Sequence, residues 1–298
     1  MRYAWIAEHR ERYAIPMMCD LLGVSRSGLY GALRRARTTG KSDDDARIVA
    51  EIRRTQQRPR GRYGRRRMTP EVREALGLPV NHKRVGRLMR EHGLGSRKRR
   101  PFRVVTTDSR HAHSIAQNVL ARDFTAKAPD RKWLADLTCV GTAEGWLYVA
   151  LVLDLFSRKI VGWAMSPRMP QELTIEALRV ALGGRDPGVG LTHHSDRGSQ
   201  YAARDYRKIL AARGITVSMS RKGDCWDNAP MESLNGTLKV ECVHGEHFAT
   251  REQARRAIIG YIGYYNDERR HSSLAYLTPV QFERDWREHN RPATESAQ

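Results

Sequence analysis

Residues 133–140 read WLADLTCV, apolar at successive positions and therefore on both faces of an extended chain. That is the pattern of a strand covered by other elements on both sides, which calls for a layered fold around it. In its middle stands a carboxylate, Asp136. An ionised carboxylate is costly to bury unless a cation compensates it. The strand therefore carries either a buried salt bridge or a carboxylate kept for chemistry, and its own residues leave both readings open.

The sequence that follows supplies the rest of a sheet. Gly145–Leu155 and Arg158–Ser166 read as two strands joined by a tight turn at Phe156-Ser157, an antiparallel hairpin beside the first strand, with Asp154 at its end in a structural place. Glu172–Leu182 is a helix ending at Gly183-Gly184, and Leu191–Ser195 is a fourth strand with Asp196 at its end. Gly198 permits a turn, Ser199 or Gln200 opens a helix that Gly214 closes, and Ile215–Met219 is a fifth strand. The order βββαβαβα predicts a ribonuclease-H-like α/β domain, a mixed five-stranded sheet with helices. Ligands of such sheets sit beyond strand ends, where Asp196 lies.

A further helix opens near Asn228, read as its cap, with Pro230 in the first turn. Asn228, Glu232, Asn235 and Lys239 are spaced four, three and four apart and share one face, while Met231, Leu234 and Leu238 turn inward. Asp136, Asp196 and Glu232, on a strand, a strand end and a helix, can thus converge on divalent metal. Phosphoryl transfer needs such a set: two hard cations about 3.5–4 Å apart activate the attacking oxygen and stabilise the leaving one. Lys239 is placed to hold a phosphate of the approaching strand, and Asn228 and Asn235 on the same face are further candidate DNA contacts.

Charge divides the chain differently. Residues 1–110 hold 28 basic and 11 acidic side chains, a net +17; residues 111–298 hold 25 and 22, the remaining +3 of the total +20. A basic front half on a nearly neutral back half predicts a polyanion-binding region. In residues 16–36 a short helix with Met17, Met18, Leu21 and Leu22, a break at Gly23, and a second helix capped by Ser25 and bearing Leu29, Tyr30 and Leu33 give the outline of a helix-turn-helix. Arg26, Arg34 and Arg35 are its candidate DNA contacts. Asp43-Asp44-Asp45 is expected to cap a separate helix with Ile48, Val49 and Ile52. Helices near 69–76 and 82–92 follow, the second capped by Asn81, with Lys83, Arg84 and Arg87 as candidate contacts away from its Val85, Leu88 and Met89 stripe. The run SRKRRPFR brings Lys98, Arg99 and Arg100 as phosphate contacts.

The expected organisation is an all-α, helix-turn-helix-like region over 1–110, a linker over 111–129, the catalytic domain over 130–243 and a helical extension over 244–298, with fraying after Asn290. His111 and His113 are read as linker residues. Cys19, Cys139, Cys225 and Cys242 form no CxxC pair, so they predict neither a zinc site nor a disulfide framework but reduced thiols in or near the core. No stretch approaches the roughly 20 apolar residues that span a bilayer, and no secretory signal opens the chain, which predicts a cytoplasmic protein. For His271 a catalytic or DNA contact and a structural hydrogen bond both remain open.

These residues resemble the DDE transposases of insertion sequences, specifically the insertion-sequence-3 family. The likeness rests on the carboxylate spacing, 35 residues between Asp196 and Glu232 with Lys239 seven further on, and on the strings WLADLT, LDLFSRKIVGW, HSDRGSQY, DNAPMESLNGTLKVE and YNDERRHSSL, with VSRSGLY and VNHKRVGRLMREHGL in the front half. Arg65 replaces an aromatic usual after Tyr63-Gly64, and Cys139 a common Tyr. The resemblance implies Mg2+-dependent cleavage of one strand at each element end and transesterification into another strand, with Mn2+ as a substitute. Asp136 would serve both ions, Asp196 and Glu232 one each. It also implies double-stranded DNA as partner, a homo-oligomer on DNA in a bacterial nucleoid, and an upstream-frame protein joined by frameshifting. The competing readings are a nuclease that does not join strands, a DNA-binding regulator derived from a transposase, and a retroviral-type integrase, whose zinc-binding front module has no counterpart here.

Overall fold

The computed structural model describes residues 2–58, 63–96 and 111–290, and for 34–42 the backbone alone. Its contacts divide the chain into two units, Met1–Ser96 and Arg97–Gln298.

The first unit is helical: α1 (Arg2–His9), α2 (Ile15–Leu21), α3 (Arg26–Gln57), α4 (Arg65–Leu76) and α5 (His82–Glu91). Gly23 takes the left-handed conformation the turn needs (φ 61°), and Ser25 Oγ accepts from Gly28 N at 3.0 Å to cap α3. Leu29 then packs with Ile6, Met18 and Cys19, whereas Tyr30 and Leu21 face solvent. The break expected at Asp43–Asp45 does not occur: α3 is one helix of 32 residues, about 48 Å long. No proline interrupts it. Asp45, rather than capping a new helix, accepts from Arg84 Nε (2.6 Å) and Arg87 Nη2 (2.7 Å) of α5. Against the opposing effect of burial, these bonds hold its carboxyl below the usual range. The far half of α3 supplies Ile48, Val49 and Ile52 to a second core with Met68 and Val72 of α4 and Val85, Leu88 and Met89 of α5. Helix α4 starts four residues before the expected Thr69, and Asn81 caps α5 as predicted.

The second unit contains β1 (Lys132–Thr142), β2 (Gly145–Asp154), β3 (Ile160–Ser166), α6 (Gln171–Arg185), β4 (Thr192–Ser195), α7 (Ser199–Ala202), α8 (Arg204–Ala212), β5 (Thr216–Met219), α9 (Ala229–Leu238), α10 (Arg251–Asp267) and α11 (Pro279–His289). The sheet order is β3-β2-β1-β4-β5, with β1–β3 antiparallel and β4 and β5 parallel to β1, the mixed sheet of a ribonuclease-H-like fold. Trp133, Ala135, Leu137, Ala150, Val152 and Ala164 join α6–α8 in one core. By alternation Leu134, Leu151 and Leu153 turn to the other face, over which α9 and α10 pack. Helix α6 lies close against β3 because residue 162 is glycine: a Cβ there would stand 2.3 Å from Ala177 O. The single helix expected after Ser199 is split by Ala203, which is extended (ψ 143°). Asn266 of α10 brackets Ile160, accepting from its N (2.9 Å) and donating to its O (3.0 Å), which pins the helix to the outer strand.

Two groups of acids sit in this unit, and the first is closed. Asp154, fully buried, accepts from the N of Asp130 and Ser157 (2.7 and 2.9 Å). Ser157 Oγ donates to Glu283 of α11 at 2.6 Å, and Arg185 bridges Glu283 and Asp130. This pull explains why α6 runs through Gly183-Gly184 to Arg185. Residues 111–129, expected as a linker, form no helix or strand but lie along β5: Ser218 Oγ accepts from Val119 N and Leu120 N, both at 3.0 Å, and Leu120 is buried. Cys19, Cys139 and Cys242 are buried as expected; Cys225 is exposed, being carried on a turn. His271 is buried against Tyr265, its ring centroid 4.6 Å away, and beside Arg269, whose guanidinium pairs with Glu241 at 2.7 and 2.9 Å. Its place is structural.

Candidate active site

The second group of acids lies where β1 and β4 run side by side. Their parallel register ends at the pair Leu134 and His194, so Asp136, two residues on in β1, and Asp196, just past β4, leave the same end of the pair, and the Asp136 carboxyl feels the charge of Asp196. Asp196 follows the last residue of β4, and its Oδ1 accepts from Gly198 N at 2.9 Å, closing the turn into α7. Glu232 is exposed on α9, whose Met231, Leu234 and Leu238 are buried as the periodicity predicts.

Two carboxamides dock α9 on β1, one on each side of Glu232. Asn228 Nδ2 donates to Ala135 O (3.3 Å) and Asn235 Nδ2 to Asp136 Oδ2 (2.8 Å). Asn228 occupies the cap position, but its side chain makes no cap bond because it is turned to the strand. Leu137 N donates to Asp136 Oδ1 at 2.9 Å. Burial, and then the charges of Asp196 and Glu232, push the Asp136 carboxyl well above the usual carboxylate range. Lys239 lies just past α9. Burial lowers the proton affinity of its ammonium, while Cys139, Asp136 and Glu232 work in the opposite direction, so its neighbours are the acids themselves.

Among the described residues no three His, Cys, Asp or Glu side chains are gathered closely enough to hold an ion as they stand. The chemistry of the set nevertheless fits one. Asp136, Asp196 and Glu232 offer only oxygen, the donor preferred by hard divalent cations, and a cation among them would relieve the repulsion that Asp136 feels. Asn235 Oδ1, buried beside Asp136, has no hydrogen-bond partner among the described residues. The same is true of the hydroxyl of Tyr201, whose proton affinity burial raises, with Tyr206, Asp136 and Asp196 adding to the effect.

Sequence reasoning missed what holds the turn before α9. Asp227, fully buried, accepts from Arg221 N (2.8 Å), Nε (2.9 Å) and Nη2 (2.7 Å), from Arg122 Nε (2.8 Å) and from Asn118 Nδ2 (2.9 Å). The Arg221 bonds hold its carboxyl far below the ordinary range. It also missed His194, buried between Ser218 Oγ (2.8 Å) and Ser220 Oγ (3.1 Å) and pushed down to about 4 by burial. Asp227 ties Asn118 and Arg122 to the turn after β5, and His194 ties β4 to β5. No local pattern announces either, since their partners lie up to 109 positions away.

Of the candidate DNA contacts in the first unit, Arg26 and Lys83 are exposed. Arg84 and Arg87 are instead engaged with Asp45, and Arg87 also with Glu91 at 2.7 Å. The side chains of Arg34 and Arg35, and all of Lys98, Arg99 and Arg100, lie outside the described residues.

Comparison with known proteins matches residues 126–225 and 213–279 to two integrase core domain families and residues 42–102 to an HTH-like domain. The first integrase range holds Asp136 and Asp196, the second Glu232. The transposase InsF of insertion sequence IS3A from Escherichia coli (strain K12) is 42% identical over 289 residues, covering 95% of this chain and 98% of the relative. An uncharacterized 31 kDa protein of insertion element IS600 from Shigella sonnei is 46% identical over 266 residues, covering 89% and 97%. Among solved structures, a simian T-cell lymphotropic virus intasome in complex with PP2A regulatory subunit B56 gamma aligns with a TM-score of 0.45 at 15% identity, covering 78% of this chain and 72% of that one. The HTLV-2 integrase catalytic core domain in complex with magnesium aligns at 0.41 and 15%, covering 53% and 99%.

Proposed function

The chain belongs to the insertion-sequence-3 family of transposases, and from that premise we propose that it cleaves one DNA strand at each end of its element and joins the freed end to a target strand. The observation that supports this reading is the meeting of Asp136, Asp196 and Glu232, from three separate elements, beside Lys239. On this reading Asp136, Asp196 and Glu232 would hold two Mg2+ ions, or Mn2+ in their place. The ions supply the charge that activates an attacking oxygen and stabilises a departing one.

Each step exchanges one P–O bond for another. In cleavage, a water oxygen bonds to phosphorus, the bond to the 3′-oxygen of the terminal nucleotide breaks, and that oxygen leaves as a hydroxyl. In joining, the same hydroxyl loses its proton and attacks a target phosphorus, whose own bond to a 3′-oxygen breaks. No covalent enzyme intermediate arises. Lys239 binds a phosphate oxygen of the strand. Asn228 and Asn235 keep α9, and with it Glu232, at the height of Asp136. Arg26, Arg34, Arg35, Lys83, Lys98, Arg99 and Arg100 hold element-end DNA, and two ends are paired by a homo-oligomer, with the upstream-frame protein supplied as a fusion.

The test mixes the purified chain with a labelled duplex carrying its element's end, Mg2+ and, in parallel, the Asp136→Asn variant. Cleaved and joined products that fall by roughly a thousandfold or more in the variant support the reading. Cleavage without joining would make it a nuclease. Binding with no product, from the chain and from its upstream fusion alike, would make it a regulator.

A further inference from the structure

A groove of about 470 Å³ lies in the second unit between α8 and residues 113–114. One face of α8 forms its wall: Arg204, Arg207, Lys208 and Ala211 recur at helical spacing and line it, while Tyr206 and Leu210 of the same helix are buried in the core. The opposite wall is His113 and Ser114, and Val217 of β5 is part of the base. Arg207 Nη1 donates to Ser114 O at 3.0 Å and so fixes the separation of the walls. Arg204 and Lys208 are exposed, and Asp205 approaches Lys208 at 3.3 Å. The groove therefore carries a surplus of positive charge one helical turn apart over a small-residue base.

Its position connects it to the acids. Helix α7, which leads into α8, begins three residues after Asp196, and His111 Nε2 lies 2.8 Å from Arg197 O, next to that carboxylate. The segment that forms one wall is thus tied at its start to the rim of the candidate active site. Cations set at intervals along a groove, with few polar groups able to read a base edge, suit a ligand recognised by its repeated charge rather than its sequence.

We propose that the groove between α8 and residues 113–114 holds the phosphodiester backbone of duplex DNA alongside the carboxylate site. The proposal rests on the reading of that site as one of DNA phosphoryl transfer. Arg204 and Lys208 are the phosphate contacts, and Arg207 positions the wall.

The experiment uses the full chain and measures binding by fluorescence anisotropy, over a range of salt, to two labelled duplexes: one carrying the element's end and one of unrelated sequence. The Arg204→Glu/Lys208→Glu variant is expected to bind at least roughly tenfold more weakly near 0.1 M salt, with the slope of log K against log salt reduced by about two, since each phosphate contact adds about 0.9. Loss confined to the unrelated duplex assigns the groove to target DNA, loss confined to the element end assigns it to that end, and equal loss assigns it to both. An unchanged affinity and slope in a variant that melts like the parent overturns the proposal. So does an equal loss from the matched reversal Arg179→Glu/Arg256→Glu elsewhere on the unit. Should the Glu pair fail to fold, Arg204→Gln/Lys208→Gln gives the same reading through a slope reduced by about two. Cleavage by the intact chain is assayed alongside. A chain that makes no product sinks the catalytic reading whatever the slope does, whereas an unchanged slope with normal cleavage sinks the groove alone.

Discussion

The two acidic groups of the second unit contrast in what surrounds them. Asp130, Asp154 and Glu283 sit among Arg185, Lys159, Ser157 and backbone N–H groups, and nearly every oxygen there accepts from a donor. Asp136 instead feels the charges of Asp196 and Glu232 and, as a cation, Lys239, whose proton affinity burial lowers while Cys139, Asp136 and Glu232 oppose the fall. Hydrogen bonds from Arg185 and Ser157 overcome burial and lower the proton affinity of Glu283, whereas burial and neighbouring acids raise that of Asp136. The first set is compensated by cations and donors and fastens α6 and α11 to a hairpin, whereas in the second the Asp136 carboxyl is buried and repelled by Asp196 and Glu232.

The strongest test of the contrast is to remove the cation from the closed group. Arg185→Met leaves the buried Glu283 and the half-buried Asp130 without their shared partner, and should cost roughly 3–5 kcal/mol of stability, read as a fall in denaturation midpoint. Cleavage per folded molecule should change little; a parallel loss of both would mean that the two groups are one system.

A second test uses pH without divalent metal, where the two groups have opposite signs. Glu283, depressed, contributes stability that is present above the ordinary carboxylate pKa and lost as pH falls through its folded value. Asp136, raised, contributes stability that is present below the ordinary value and lost as pH rises through its folded one. Asp136→Asn should therefore gain on the parent by up to about 1.4 kcal/mol per pH unit across that upper window, and Mg2+ should narrow the gap by stabilising the parent alone. Equal pH profiles for parent and variant would show that Asp136 carries no such strain.

The smallest expected effect concerns the hydroxyl of Tyr201, buried near Asp136 and Asp196 and without a partner among the described residues. Tyr201→Phe removes an unsatisfied donor and should raise stability by about 1 kcal/mol or less; a loss of that size would show that the hydroxyl is bonded in solution.

How much of this was legible in the sequence follows from the range of each interaction. The strands around Asp136, the inward face of α9 and the caps at Ser25 and Asn81 are set by residues a few positions apart, and periodicity finds them. The three acids could be grouped because strand order brings their ends together. What stayed hidden depends on distant partners. Asp45 looked like a helix cap because Arg84 and Arg87, which hold it, lie about forty positions on. That Asn228 and Asn235 bond to β1 was hidden too, because no pattern says that the strand lies beneath them. Asp227 and His194 could not be told from ordinary polar residues until the segment 111–129 was seen against β5.

The unbroken α3 carries a consequence of its own. It bears Leu29 for one small core and Ile48 for another, nineteen positions apart, and the helix turns about 100° per residue. The rod thus acts as a camshaft that fixes the angular phase between the two cores. Adding one residue between them would rotate one core by about 100° and advance it by about 1.5 Å, so that length in this stretch is a setting of angle, and only insertions near whole turns would keep it.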